Sequence, residues 1–516
     1  MRDVRAFFAE GRIELFPAID SLRRYNGGKF QSDTKAALSV ALLSLPQGMA
    51  FAAIAGLPII FGILCAAVAA IVAPLFAGSR HTILGPTNAT AFMLFSFFAA
   101  NPDLATRKPE LVPLLVLMVG VICMVGALLK VADLLQYVSR SVLVGYITGA
   151  ALLIIASQMR HVAGVEGSVK EGRTFVSLVF NLIEALPATR WPPLLLSAVT
   201  MGAYFLVRHY WPRLPSFALT LLFSVAIAAS MRWLLPAAES SSLTYFASFG
   251  FDAFRVRLPD FSSVSLFDDL AALSAVAMAI GFLASLENSV MSKTLASRSG
   301  ERVGGNQDMF AVGLANIACA LTGGMPASGS LTRSTLNFEA GARTRFASLY
   351  AGFYCLLGAV LLAWLPRVGY PVLELLPQAG LSALVIALGV SLINPRNIRI
   401  CLRSTGDDAA VLVLTFLATL LAPLHVAIFI GVTLSITLFL RKASKPYLVE
   451  YEFSSEGELR EKAENSQRPN PAISIVHVEG DLFFGASELF RTQIQRIVAD
   501  PNLKVIILRM RNARHL

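Results

Sequence analysis

Between about Ala36 and Leu440, apolar runs follow one another with only short polar breaks. Each comes close to the roughly 20 residues that a helix needs to cross a bilayer. That pattern leaves few folds open, because hydrocarbon offers no partner for a backbone N–H or C=O and each must be bonded inside the protein. The chain is read as an all-α polytopic membrane protein. Its 55% hydrophobic and 15% charged residues, with a mean hydropathy of +0.65, exclude an ordinary soluble domain.

The net charge of +10 does not point to nucleic acid. Lys and Arg lie between apolar runs without interleaved aromatics, which is the pattern of cytoplasmic anchoring. The first 35 residues are basic and mixed, so no cleavable signal peptide is expected. Cys65, Cys123, Cys319, Cys355 and Cys401 sit in or beside apolar segments without metal-ligand spacing, and the histidines are scattered. No disulfide, metal or cofactor is expected.

Two interruptions carry the function. Leu321–Asn337 holds Gly323, Gly324, Pro326 and Gly329, several hydroxyl side chains and Arg333. An ordinary spanning helix avoids that mixture, since irregular backbone at membrane depth needs protein or a watery cavity around it. A helix that breaks at Gly-Gly-Met-Pro and restarts at Ser-Gly-Ser-Leu-Thr presents free amides and a partial positive charge, which suits an anion. Gly78–Thr90 repeats the device: Gly85-Pro86-Thr87-Asn88 opens a short apolar run to Ala100, with proline suited to a first turn. The competing reading there is a tight surface loop before a tilted span.

In order, the spans are placed at about 34–56, 59–77, a short apolar run ending at Ala100, 111–129, 135–158, 193–208 and 216–236, with 174–187 as a re-entrant or split continuation. The second set runs 266–291, 308–323, 329–340, 346–364, 380–393, 407–421 and 424–440. An interrupted helix third in each set predicts two inverted seven-segment repeats, fourteen segments in all, with the binding site near the midplane. The boundaries are 1–33 for an N-terminal segment, 34–236 and 266–440 for the two repeats, and 446–516 for a C-terminal module. The first segment reads as cytoplasmic, with an interfacial helix among Arg2, Arg5, Phe7, Phe8, Arg12, Leu15, Phe16, Arg23, Arg24 and Lys29. Lys293, Arg298, Arg302, Arg343, Arg345, Arg396, Arg399, Arg403, Arg441, Lys442 and Lys445 fall in loops on the same side, against Arg107, Lys108, Lys170 and Arg173 on the other. Both termini are therefore expected in the cytoplasm of a cell with this protein in its inner or plasma membrane. In the C-terminal module Ile473–Gly480 alternates as a strand, Ala486–Ala499 has helical spacing and Leu503–Met510 reads as a strand; 446–470 reads as polar and charged.

These residues resemble the SulP family, the sulfate permease and solute carrier 26 anion transporters. The likeness rests on Pro46-Gln47-Gly48-Met49-Ala50-Phe51-Ala52 in the first span, on Gly78-Ser79-Arg80-His81 with Gly85-Pro86, and on Glu287-Asn288-Ser289-Val290-Met291-Ser292-Lys293. It continues through Gly305-Asn306-Gln307-Asp308, Gly313-Leu314-Ala315-Asn316, Ser330-Leu331-Thr332-Arg333-Ser334, Asn337 and Gly341-Ala342-Arg343-Thr344. The resemblance implies a core domain of segments 1–4 and 8–11, a gate domain of segments 5–7 and 12–14, half-helices in segments 3 and 10, and a homodimer. It also implies that Pro471–Leu516 is a STAS domain, incomplete relative to the family pattern.

Carried onto this chain, the resemblance places Gln47, Phe51, Thr87, Asn88, Ser330, Leu331 and Thr332 around a small anion, with backbone amides making most of the contact. Gln47 beside Pro46 has the alternative of a kink bonded to a neighbouring helix, and Phe51 that of a plain core aromatic. Phe51 stands where the family more often has Tyr. Arg333, an intramembrane cation, is a candidate for drawing the anion in; the alternative is a structural pair with Glu287. Glu287 is the expected ion-coupling residue, because burial and a neighbouring arginine pull a carboxylate's protonation in opposite directions. A proton is preferred to sodium as the coupling ion, since Val290 and Met291, one turn on, offer no oxygen ligand.

The expectation is a secondary active transporter of sulfate, bicarbonate or dicarboxylate by proton symport, working by alternating access in contact with membrane lipid. Sodium symport or anion exchange stays open. A nucleobase permease would want carboxylates and amides at the tenth segment, where this chain has Ser, Thr and Arg. An anion channel or a STAS-based sensor is the alternative of a different class. No nucleophile–base pair or metal cluster supports an enzyme.

Overall fold

The computed structural model describes residues 13–23, 25–165, 175–211, 214–236, 239, 242–256, 265–301, 303–443, 447–453, 459–461, 471–481 and 487–514. Arg2, Arg5, Phe7, Phe8, Arg12, Arg24, Lys170, Arg173, Arg302 and Lys445 lie outside those residues. The chain forms two compact units, 1–432 and 433–516.

The first unit is helical. In chain order its helices are α1 (Gly27–Ile54), α2 (Ile59–Phe76), α3 (Asn88–Ala100), α4 (Lys108–Leu128), α5 (Arg140–Val162), α6 (Phe175–Ala185), α7 (Trp191–Tyr210) and α8 (Ser216–Leu234). After the polar connection come α9 (Leu266–Ser299), α10 (Gly305–Thr322), α11 (Leu331–Glu339), α12 (Phe346–Trp364), α13 (Gln378–Leu392), α14 (Pro395–Ser404), α15 (Gly406–Leu421) and α16 (Leu424–Ala443), the last running past the boundary between units. Among the described residues nine helices are long and apolar enough to cross a membrane; α3 is a shorter apolar helix, as expected of a half-helix. Two-residue strands β1 (Leu84–Gly85) and β2 (Ser328–Gly329) precede α3 and α11. The same succession of two helices, a short strand, a short helix and a long helix thus occurs in α1–α4 and α9–α12.

Packing separates the helices into two groups. α10 lies against α4 and α2, α12 against α2 and α1, and α9 against α4, α10 and α3. In the other group α5 contacts α13 and α15, and α7 contacts α13 and α8. Lipid gives no hydrophobic push between helices, so close backbone approach through small residues has to supply the attraction. A Cβ on Gly48 would stand 2.8 Å from the Gly62 carbonyl oxygen, and one on Gly313 2.8 Å from the Met124 nitrogen. At these two crossings only glycine lets α1 meet α2 and α10 meet α4.

Several boundaries differ from the expectations. α1 starts at Gly27, not near residue 34, because the Asn26 side chain accepts from the Lys29 amide and caps it. The polar residues of that first turn had masked a helix whose Asp33 is buried. Arg396, Arg399 and Arg403 lie on α14 and not in a loop, started by Asn394, which accepts from the amides of Arg396 and Asn397. The polar connection also has structure: Phe246 N donates to Leu376 O at 3.2 Å and Gln378 N to Thr244 O at 2.9 Å, tying it to the start of α13.

The second unit carries β3 (Tyr447–Phe453), β4 (Leu459–Glu461), β5 (Ile473–Asp481), α17 (Ser487–Val498) and β6 (Val505–Arg514) in a sheet of order β4-β3-β5-β6. β3 pairs antiparallel with β4 and β5, while β5 and β6 are parallel across α17. β3 and β4 fall where the sequence reads as polar and charged; their charged residues obscured the strand alternation.

Gly62→Val is expected to force α1 and α2 apart. It should lower the thermal unfolding midpoint of the detergent-purified protein, at a cost of about 1–3 kcal/mol or more; an unchanged midpoint would show that this crossing is not tightly packed.

Candidate functional site

The site begins with a four-residue sheet. β1 and β2 pair antiparallel, Leu84 opposite Gly329 and Gly85 opposite Ser328. Two further bonds extend this join: Ser330 N donates to Ile83 O at 3.2 Å, and Ile83 N donates to Ser334 Oγ at 2.8 Å. Non-helical backbone deep in the bundle is thereby satisfied within the protein, as the bilayer requires. α3 and α11 both start immediately after this pair, so their N-terminal amides are brought to one place.

Each start is capped from its own sequence. Thr87 is the N-cap of α3 and forms a reciprocal capping box with Thr90, whose hydroxyl also donates to Pro326 O at 3.2 Å. Ser330 is the N-cap of α11 and accepts from Arg333 N at 3.4 Å. The first turn of α11 is the open part: Leu331 is 54% exposed, Thr332 is exposed, and Ser330 and Asn88 are half-buried. Gln47 and Phe51 are buried on α1, the helix that packs on both α3 and α11.

Glu287 of α9 joins the two halves. Its Oε2 accepts from Ser328 Oγ at 2.6 Å and from Thr87 Oγ1 at 3.3 Å. One carboxylate oxygen therefore reads the position of both lead-ins. Arg333 does not pair with it. The guanidinium is fully buried and donates from Nη2 to Pro86 O at 2.8 Å, with Nε and Nη1 lacking partners among the described residues. It lies against β1, where a Cβ on Gly85 would come within 3.0 Å of Nη2. The structural alternative of an Arg333–Glu287 pair is thus not what the geometry shows. Instead a positive charge is sealed against one strand and an acidic group spans both.

Some residues here carry no site role in the sequence reading, although Asn316 and Ser334 stand in motifs quoted there. Asn316 of α10 donates to Ala327 O at 3.0 Å and accepts from Ala327 N at 2.9 Å, holding the peptide that leads into β2. Ser328 and Ser334 each bond across the site as described above. Tyr146 of α5 is fully buried, and its hydroxyl has no partner among the described residues. Polar residues within apolar helices are the signal that could have marked Asn316 and Tyr146; nothing local distinguishes Ser334 from its neighbours.

Half-helix starts joined by a short strand pair inside a helical bundle are the arrangement that transporters with discontinuous helices use to build a binding site. The fold is matched by murine solute carrier 26 family member A9, an anion transporter in its inward-facing state, with a TM-score of 0.82 and 20% identity over 97% of this chain and 84% of that one. The transmembrane domain of the cyanobacterial bicarbonate transporter BicA matches with a TM-score of 0.64 and 18% identity, over 80% and 98% of the two chains. In sequence, a probable sulfate transporter of Mycobacterium tuberculosis is 31% identical over 437 residues, 84% of this chain and 74% of the relative. The putative sulfate transporter YvdB of Bacillus subtilis is 25% identical over 95% and 87% of the two chains. The sulfate permease family model matches residues 30–415, and the chain belongs to that family.

Asn316→Leu removes both bonds to Ala327 and leaves a buried amide and carbonyl unpaired, at about 1–3 kcal/mol each. The expected result is a lower unfolding midpoint and loss of anion-dependent stabilisation; a variant as stable and as responsive as wild type would show that Asn316 does not hold the site.

Proposed function

We propose that this protein carries a small anion of the sulfate, bicarbonate or dicarboxylate class across the membrane by alternating access, coupled to protons. The observation that carries the reading is Glu287 bonded to both Thr87 and Ser328, beside two half-helix starts. Free amides at the starts of α3 and α11 suit an anion. A carboxylate beside them opposes that anion when charged and tolerates it when neutral, so anion and proton favour each other's binding. Ser330, Leu331, Thr332 and Asn88 would line the anion, with Gln47, Phe51 and Thr87 shaping the space behind them. Arg333 would act through field rather than contact, raising the positive potential at the site from beneath β1.

The helices α1–α4 and α9–α12 would form the core that holds the site, and α5, α7, α8, α13, α15 and α16 the gate, giving fourteen segments, with α6 and α14 as shorter connecting helices. Movement of the core against the gate exposes the anion to each side in turn. The strands β3–β6 with α17 are read as part of a STAS domain on the cytoplasmic side, and the protein as a homodimer of the inner or plasma membrane. The transporters named among its relatives support the anion class.

Proteoliposome uptake of radiolabelled sulfate, bicarbonate and succinate tests the reading. Uptake should rise with an inward proton gradient and not with an inward sodium gradient. Glu287→Gln should abolish the gradient-driven component while anion binding persists; stimulation by sodium instead would overturn proton coupling, and no uptake of any of the three anions would overturn the substrate class. Arg333→Gln should weaken anion affinity by about tenfold, roughly 1.4 kcal/mol, with normal expression. Unchanged affinity in a folded variant would remove Arg333 from the site.

A further inference from the structure

Away from the midplane, at the end of the bundle where α1 starts and α2 finishes, lies a cleft of about 350 Å³. Four parts of the chain line it: the N-terminal segment through Glu14, the start of α1 through Lys29, and two loops, one through Arg80 and one through Arg343 and Arg345. The loop carrying Arg80 runs into β1, and the loop carrying Arg343 and Arg345 joins α11 to α12. Four cationic side chains thus face one carboxylate, that of Glu14, among the lining residues.

The nearby acids are occupied in building the loops. Asp33 accepts from the Arg343 and Thr344 amides at 2.7 and 3.1 Å, from Thr344 Oγ1 at 2.5 Å and from the Tyr25 hydroxyl at 3.2 Å. Asp308 accepts from the amides of Gly78 and Ser79 at 2.9 and 3.2 Å. Glu301 takes Arg80 Nε at 3.6 Å and His81 Nε2 at 3.4 Å. Arg345 is 7% exposed and donates from Nη1 to Ala77 O at 2.8 Å and from Nη2 to Gly78 O at 3.4 Å; its Nε has no partner among the described residues. Arg343 is exposed at the rim.

Arg80 opposes the charge of Arg345 across the cleft, and a buried N–H without an acceptor is costly. An anion with several oxygens relieves both, and planar guanidinium groups match phosphate oxygens in geometry. We propose that this cleft is a second anion site, separate from the midplane site, that binds a phosphate-bearing group of net negative charge: either a free phosphate compound or the headgroup of an anionic phospholipid, which zwitterionic phosphatidylcholine does not replace. Its occupant bridges the N-terminal segment to the two loops that position β1 and α11. The site does not depend on the transport reading, because it uses none of the midplane residues.

The test uses the full chain in nanodiscs of phosphatidylcholine, titrated with inorganic pyrophosphate and followed by thermal shift and by direct binding. Wild type should bind saturably, with sulfate at equal concentration displacing little. The double variant Arg80→Gln with Arg343→Gln alters two exposed side chains outside the packed interior and should fold. It is expected to bind about tenfold or more weakly. Arg333→Gln should bind as wild type. In a second arm, nanodiscs containing phosphatidylglycerol should stabilise wild type but not the double variant if the headgroup is the occupant; pyrophosphate would then add nothing further. Stabilisation by pyrophosphate alone assigns a free phosphate compound. The proposal is overturned if neither arm shows binding, if the double variant binds like wild type, or if Arg333→Gln abolishes binding and so moves it to the midplane.

Discussion

The antiparallel pairing of Leu84–Gly85 with Ser328–Gly329 is the constraint on which the rest of this structure depends. Two helices can break inside a membrane only if the freed backbone groups find partners in the protein. Here each break supplies partners for the other, so neither half-helix is stable in place without its counterpart. Ser334 and Ser330 lengthen the join by bonding to Ile83 on the opposite segment. The same join sets both N-termini at one level, which is what makes an anion site possible.

Around that join, the polar groups serve backbone before they serve ligand. Asn316 holds the peptide of Ala327, Thr90 reaches Pro326 O, and Asn337 donates to His81 O at 3.2 Å. At the end of the bundle Asp33 and Asp308 do likewise for the loops after α11 and α2. Arg333 and Arg345 serve the same irregular backbone from the donor side, through Pro86 O, Ala77 O and Gly78 O.

Glycine works in a second way in the same fold. At Gly48 and Gly313 it allows helix backbones to meet, so that α2 and α10 sit deep among their neighbours. Their approach keeps α9, and Glu287 with it, beside both strands. The bond from Ser328 and the longer one from Thr87 then sense any shift between the two halves at a single oxygen.

Much of this was legible from the residues. Apolar runs dictated a helical membrane fold, since of the two arrangements that satisfy the backbone in lipid, helix and closed barrel, only the helix uses runs of about 20 apolar residues. Gly, Pro and hydroxyl residues at 78–90 and 321–337 marked the two breaks, because those types disfavour a continuous helix. The start of α1, the whole of α14 and the strands β3 and β4 were not legible, as their charged residues hide a regular backbone whose partners are distant in sequence. What only the tertiary structure decided is direction. Arg333 and Glu287 were both visible as intramembrane charges, and pairing them was a reasonable alternative. Folding instead turned Arg333 toward Pro86 and set Glu287 between Thr87 and Ser328, because the strand pair stands where those backbone and hydroxyl groups need partners. Local sequence determined that the helices break and that they carry charge; the meeting of two segments more than two hundred residues apart determined what each charge faces.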